Sequence, residues 1–154
     1  MGFSRKVASA PTSSISSICG GTSACIGPIP ACIYTHKTLS GSFSVKNPYL
    51  EKIFIEKSKN SEAVWSSILE HGGSVQHLDF LSAEEKDCYK TSFEIDQRWL
   101  IELQADRTPF VDQSTSLNLF IRADVEKWDL PLPHFRAWEL AVKSLYYFSS
   151  KSVN

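Results

Sequence analysis

No stretch of this 154-residue chain comes near the roughly 18–20 consecutive apolar residues that a membrane-spanning helix requires, so no membrane span is expected. Excess charge of one sign is lacking as well. With 16 basic against 17 acidic residues the net charge is −1, which excludes a general attraction to nucleic acid or to anionic lipid and leaves room for a local patch alone. Direct nucleic-acid binding is therefore not expected. The basic start, Met1 to Lys6, is followed by a polar run instead of a signal-peptide core, and Lys6 stands where a myristoylation signal needs Ser or Thr. A cytoplasmic location follows as the default expectation. Cysteine is sparse, at Cys19, Cys25, Cys32 and Cys88, and no pair is spaced Cys-x-x-Cys. Two readings remain for these thiols: a zinc set of Cys19, Cys25, Cys32 and His36 with gaps wider than structural zinc favours, or reduced, partly buried thiols. No His-x-x-x-His pair and no Ser/His/Asp grouping is legible.

A further absence is local. From Val7 to Tyr34 there is no charged side chain at all, yet Ile15, Ile18, Ile26, Ile29 and Ile33 are spread through that stretch. A solvated linker would carry charge, so this segment is expected to pack against a surface, either within the chain or on another one.

What is present suits one ordinary domain, with 42% hydrophobic and 21% charged residues. A turn at Gly41 and a short strand bearing Phe43 and Val45 are expected after Thr38. Asn47-Pro48 opens a helix with an apolar stripe of Tyr49, Leu50, Ile53 and Phe54, ending near 57–60. Ser61 caps a second helix that presents Val64, Trp65, Ile68 and Leu69 and stops at Gly72-Gly73. Ser82 with Glu85 forms a capping box. Asp96 to Arg107 is read as a helix burying Trp99, Leu100, Leu103 and Val111, with Glu94, Asp96 and Arg98 as solvated charges at its start. Pro109 to Ile121 then gives a helix end, a polar turn at Asp112–Ser116 and a strand with Leu117, Leu119 and Ile121 on one side. A long closing helix is predicted from His134 to Phe148.

Two places carry residue types suited to chemistry. Pro11-Thr12-Ser13-Ser14 leads into a short helix at Ile15 to Ile18, so hydroxyls and backbone amides gather where an anion such as phosphate would be held. Ser and Thr clusters also serve simply as helix caps. Tyr146-Tyr147 places two phenols side by side near the predicted end of the last helix, where one core and one rim aromatic is the plain reading. Asp112 has the character of a turn former with acid or base capacity. From the residues alone the chain is a mainly helical α/β protein with one candidate phosphate loop.

Four stretches, taken together, resemble the C-terminal part of the catalytic (large) subunit of class I ribonucleotide reductase. They are Ala10-Pro-Thr-Ser-Ser-Ile-Ser, Leu39-Ser-Gly-Ser-Phe-Ser-Val-Lys-Asn-Pro-Tyr-Leu50 with the later Gly72-Gly-Ser-Val-Gln76 turn, Phe110-Val-Asp-Gln-Ser-Thr-Ser-Leu-Asn118, and Val142-Lys-Ser-Leu-Tyr-Tyr147. The resemblance covers roughly residues 7–152. It implies a fold that is part of a ten-stranded α/β barrel: a single fragment over 1–154, with the phosphate loop and packed apolar segment in 7–36, a helical region in 37–154 and a barrel strand near 117–122. It implies that Pro11, Thr12, Ser13 and Ser14 hold the phosphates of a ribonucleoside diphosphate, and that Tyr146 and Tyr147 relay a radical from a small subunit carrying the metal-radical cofactor. No cofactor or metal is expected on this chain itself.

The resemblance also has gaps. The family's thiyl cysteine lies in an Asn-x-Cys-x-Glu loop, a setting that none of the four cysteines has. Where the family has Gly-Ile-Glu-Pro this chain reads Cys25-Ile-Gly-Pro28, and Phe148-Ser-Ser-Lys151 follows the tyrosines where an arginine is common. Two functions are consistent with this pattern. One is a C-terminal piece of a split ribonucleoside-diphosphate reductase, contributing to deoxyribonucleotide synthesis with the remaining large-subunit chain and the small subunit as partners. The other is a catalytically inactive remnant that binds a reductase subunit or a nucleotide.

Overall fold

The computed structural model describes residues 7–19, 23–122, 124–127 and 129–150; the readings made on Met1–Lys6 and on Lys151 lie outside them. In chain order the elements are α1 (Ser13–Ile18), β1 (Ile33–Thr38), β2 (Gly41–Lys46), α2 (Pro48–Glu56), α3 (Glu62–Glu70), α4 (Ala83–Cys88), α5 (Gln97–Arg107), a 3-10 turn (Thr108–Phe110), β3 (Leu119–Ile121), α6 (Leu132–Glu139) and β4 (Phe148–Ser150). They divide into two compact units, one of residues 28–94 and one formed by the segments 1–27 and 95–154.

In the 28–94 unit, β1 and β2 form an antiparallel hairpin in which Ile33 faces Lys46 and Thr38 faces Gly41. β2 was legible in the sequence. β1 was not, because Ile33 alone among its six residues is buried and a strand open on both faces shows no alternation. The helices start where their caps direct. Asn47 Oδ1 accepts from the Tyr49 and Leu50 amides, Ser61 Oγ from Val64, and Ser82 with Glu85 makes the reciprocal capping box. Leu50, Phe54, Trp65, Ile68 and Val75 are fully buried and pack with Cys32, Ile33, Leu78 and Leu81. The Phe54 ring lies 5.0 Å from Trp65 and 5.4 Å from Phe80. At about 1.5–3 kcal/mol for each large side chain fully withdrawn from water, this cluster is the principal source of stability of the unit. Tyr49 and Leu69, expected in the apolar stripes, are exposed.

Both α2 and α3 end in a paired closure. After α3, Gly72 donates to Leu69 O and Gly73 to Ile68 O; after α2, Ser58 donates to Ile55 O and Lys59 to Phe54 O. Gly72 and Ser58 take the left-handed conformation that this closure demands. Gly73 has a second constraint: a Cβ there would meet the Ala31 Cβ at 2.3 Å, while its carbonyl accepts the Cys32 amide. Glu94 is exposed, as expected, and lies in the turn at 92–94. Its carboxylate accepts from Ser74 Oγ and from the Thr91 amide and hydroxyl.

The other unit is built on α5, β3, α6 and β4. Leu100, Ile101, Leu117, Leu119 and Ala137 form its core. The buried face of α5 is Leu100, Ile101 and Gln104, while Trp99 and Leu103 are exposed, which corrects the predicted stripe. That stripe assumed that the largest apolar residues point inward, whereas the packing selects the adjacent face. The strand at Leu117, Leu119 and Ile121 is buried as expected, and β3 pairs in parallel with β4, Leu119 opposite Phe148 and Ile121 opposite Ser150. On its other flank Ser9 bridges in parallel to Thr115, Ser116 donates to Ser9 O, and Asp112 accepts the Val7 amide at 3.2 Å.

The predicted closing helix over His134–Phe148 is shorter and starts earlier. α6 ends at Glu139, where Ala141 turns left-handed at φ 54°, Ala141 donates to Trp138 O and Val142 to Ala137 O. This is the closure seen after α3, with alanine in the position usually held by glycine. No glycine or proline marks it, so periodicity alone carried the helix too far.

Candidate functional site

The ending of α6 changes the setting of the tyrosine pair. Tyr146 and Tyr147 lie on extended chain leading into β4, not on a helix, and the Tyr146 amide donates to Leu117 O at 2.8 Å while Leu119 donates to Tyr147 O at 2.9 Å. In a regular parallel ladder the residue donating to Leu117 O would itself receive the Leu119 amide. Here the acceptor lies one residue further on, so Tyr146 and Tyr147 together occupy the place of one residue, as in a bulge. An extended chain ordinarily turns neighbours to opposite faces; the extra residue lets both rings come together. Their centroids are 4.0 Å apart at 53°, and the Tyr146 hydroxyl donates to that of Tyr147 at 3.3 Å. Both phenols reach solvent. That hydrogen bond, then the electrostatic influence of the Tyr147 phenol, then burial and the Cys25 thiol hold the Tyr146 phenol above the ordinary tyrosine value.

The segment before the pair is tied down. Lys143 Nζ donates to Val111 O and Ser144 Oγ to Thr115 O at 2.7 Å, so both flanks of the polar turn are bound to the approach to the tyrosines. Sequence reasoning missed these partners. Ser and Lys are surface types, and nothing in their spacing signals a backbone acceptor 29 or 32 residues away.

The Pro11–Ser14 loop belongs to the same unit. Thr12 sits at φ 53° before α1 and its side chain makes no cap to the helix, while Thr12, Ser13 and Ser14 are exposed. Ser16 closes the first turn, its amide on Thr12 O and its hydroxyl on Ser13 O. Pro11 O receives both the Cys25 amide at 3.1 Å and the Cys25 thiol at 3.4 Å. Cys25 is 1% exposed and, like Ile26, is left-handed, a costly conformation for a β-branched side chain such as Ile26. Burial pushes the Cys25 thiol up, and a hydrogen bond from the Asn118 side chain opposes it. Asn118 Oδ1 in turn accepts the Tyr147 amide at 3.4 Å.

All four cysteines are free thiols, Cys25 and Cys32 buried, Cys19 and Cys88 exposed. Among the described residues no three His, Cys, Asp or Glu side chains converge as metal ligands, so the zinc set is not assembled. None of the described helices is long and apolar enough to cross a membrane. Leu130, Pro131, His134, Phe135 and Trp138 line an open apolar groove of about 690 Å³, and the His134 ring lies 4.9 Å from Phe148.

Known proteins resemble this chain in sequence and in fold. Residues 1–148 match the family model for the ribonucleotide reductase barrel domain. The chain is 44% identical to the ribonucleoside-diphosphate reductase large subunit of Invertebrate iridescent virus 6, over 98% of this chain and 16% of that protein. It is 42% identical to the large subunit of Invertebrate iridescent virus 3, over 98% of this chain and 24% of that protein. The class Id ribonucleotide reductase alpha subunit of Actinobacillus ureae superposes with a TM-score of 0.82 at 39% identity, covering 94% of this chain and 26% of that one. The chain thus spans about a quarter or less of the length of these relatives. By sequence and by structure alike, it belongs to the ribonucleotide reductase barrel-domain family and corresponds to a fragment of the large subunit.

Proposed function

We propose that this chain acts as the C-terminal piece of a ribonucleoside-diphosphate reductase large subunit, supplying the loop that holds substrate phosphates and the tyrosine pair that passes a radical. The observation that carries this reading is the bulge that brings the Tyr146 and Tyr147 rings together with their oxygens 3.3 Å apart. A phenol loses its electron readily only as its proton leaves, and a hydrogen-bonded neighbour oxygen gives that proton a short path. Turnover then requires the chain that carries the thiyl cysteine and the small subunit that carries the metal-radical cofactor. This chain's own part is to hold the diphosphate at Pro11, Thr12, Ser13 and Ser14 and to keep the two phenols in contact.

Reconstitution tests this. The purified chain is combined with a companion bearing the rest of the barrel and with a small subunit, and conversion of ribonucleoside diphosphate to the deoxy product is measured. Because phenylalanine has no hydroxyl hydrogen to give, Tyr146→Phe or Tyr147→Phe should each lower turnover about a hundredfold or more. Full activity in either variant removes that residue from the radical path.

A second reading has its own observation. Gly27 stands where the family has a carboxylate, which favours a remnant that binds a reductase subunit without turnover. Assembly with the companion and the small subunit, without product and without rescue by Gly27→Glu, is the result expected for that reading.

A further inference from the structure

The peptide that joins the two tyrosines is held from outside its own strand. One residue too many lies between Leu145, which packs on the cluster containing Leu117 and Leu119, and Phe148, which pairs with Leu119. In a regular parallel ladder the Tyr147 amide would donate to Leu117 O; here the Tyr146 amide has that acceptor, and the Tyr147 amide is withdrawn from the ladder. Straightening the chain would need a slip by one residue, which would either turn Leu145 away from the core or break the pairing of Phe148 with Leu119. The displaced amide donates instead to Asn118 Oδ1 at 3.4 Å. Asn118 stands between Leu117 and Leu119, the two residues that carry the flanking ladder bonds, and its half-buried side chain leaves β3 on the face opposite theirs.

A peptide unit is planar, so ψ of Tyr146 and φ of Tyr147 alone set how the two Cα–Cβ bonds are turned relative to each other. The amide that Asn118 holds belongs to that peptide. Fixing its direction fixes both torsions together, and with them the approach of the rings, 4.0 Å between centroids, and of the hydroxyls, 3.3 Å apart. We propose that Asn118 is a positioning residue for the tyrosine pair: by taking the Tyr147 amide it sets the plane of the Tyr146–Tyr147 peptide and keeps the two phenols in contact. Its bearing on radical transfer rests on the role proposed above for the pair, whereas its effect on ring geometry does not. An amide side chain suits the position because it supplies the acceptor without a fixed negative charge beside two phenols, which a carboxylate would add.

The test uses the full chain with protonated tyrosine in a deuterated background and reads the NOE between the two rings by NMR; Tyr146→Phe and Tyr147→Phe assign the signals. The unaltered chain should show a strong inter-ring NOE. Asn118→Leu, close in shape and without an acceptor, and Asn118→Ala should each lose most of it, the ratio of paired to separated rings falling about fivefold for one lost hydrogen bond. Asn118→Asp keeps an oxygen for the Tyr147 amide and should retain the NOE. Ser144→Ala removes the 2.7 Å bond to Thr115 O and so loosens the same segment without touching the peptide between the tyrosines; it too should retain the NOE, which separates positioning from a general loosening. Amide spectra verify that every variant is folded. With the companion chain and the small subunit added, Asn118→Leu should lower kcat about tenfold and leave KM for the ribonucleoside diphosphate unchanged. A full-strength NOE in Asn118→Leu and Asn118→Ala, its loss in Asn118→Asp, an equal loss in Ser144→Ala, or its absence from the unaltered chain overturns the positioning role. Unchanged kcat in Asn118→Leu despite a lost NOE, or full activity in Tyr146→Phe, removes the link to radical transfer alone and leaves the control of ring geometry by Asn118 in place.

Discussion

His71 and His77 lie face to face, ring centroids 3.8 Å apart and 12° from parallel, and both turn to one residue: His71 Nδ1 donates to Ser67 O, and His77 Nε2 is 2.9 Å from Ser67 Oγ. Parallel rings cannot aim two in-plane lone pairs at one metal ion, so the pair is structural. Burial lowers the His77 pKa below its ordinary 6.5, His71 and Lys86 lower it further, and Asp79 opposes them. The native state therefore resists a proton that the unfolded chain accepts. The associated stability is complete above the unfolded pKa and is lost as pH falls through the native one. Urea midpoints should fall between about pH 7 and about pH 5, and His77→Gln, which keeps a partner for Ser67, should flatten the dependence. An equal slope in the variant would remove His77 from the effect. Neither the stack nor its pH dependence was legible in the sequence: the two histidines are six positions apart, and the Gly72-Gly73 turn that folds one over the other fixes the distance.

At the scale of elements the last helix is the informative case. If α6 ran on to Phe148 as periodicity predicts, Ala141→Gly would weaken a helix interior by about 1 kcal/mol. Because α6 ends at Glu139 and Ala141 is held left-handed, the same change should instead stabilise the chain by about 0.5–1 kcal/mol, glycine bearing no penalty there. Thermal or urea unfolding decides between the two signs. Helix starts were legible wherever a side chain caps them. Asn47, Ser61, Ser82 and Asp96 each cap through their own side chain, which residue type announces. Of the three paired closures after α2, α3 and α6, one alone uses glycine at the left-handed position; the stops after α2 and α3 fall where they were expected, near 57–60 and at Gly72-Gly73, and the one after α6 does not.

For the molecule as a whole, the Trp65 core is the feature on which residues 28–94 depend. Trp65 is 1% exposed, its indole nitrogen donates to Asn60 Oδ1 at 2.7 Å, and its ring packs on Phe54. Trp65→Ala should cost about 3–5 kcal/mol, a large share of the roughly 5–15 kcal/mol by which a domain is stable. The loss should register as a lower urea midpoint and as faster amide exchange across residues 28–94. Against these cores stands a surface with many large apolar side chains: Ile15, Ile18, Ile26, Phe110, Phe135 and Trp138 are all more than half exposed. That exposure agrees with the uncharged character of residues 7–34 and with a chain that matches about a quarter or less of its relatives' length.

Residue types and short-range spacing by themselves determined the caps, the apolar faces of α2 and α3, the Gly72-Gly73 stop, the buried strand at 117–121 and the four stretches that carry the family resemblance. Those features depend on neighbours within a few positions, where local chemistry has few alternatives. Tertiary structure alone decided which face of α5 is inside, where α6 stops, that Tyr146 and Tyr147 share a bulge on extended chain, that Asn118 meets Tyr147 and that Cys25 meets Pro11. The last two are contacts between distant positions: Pro11 meets Cys25 14 positions on, and Asn118 meets Tyr147 29 positions on. At such separations the pairing is set by which surfaces pack, and no local pattern encodes it.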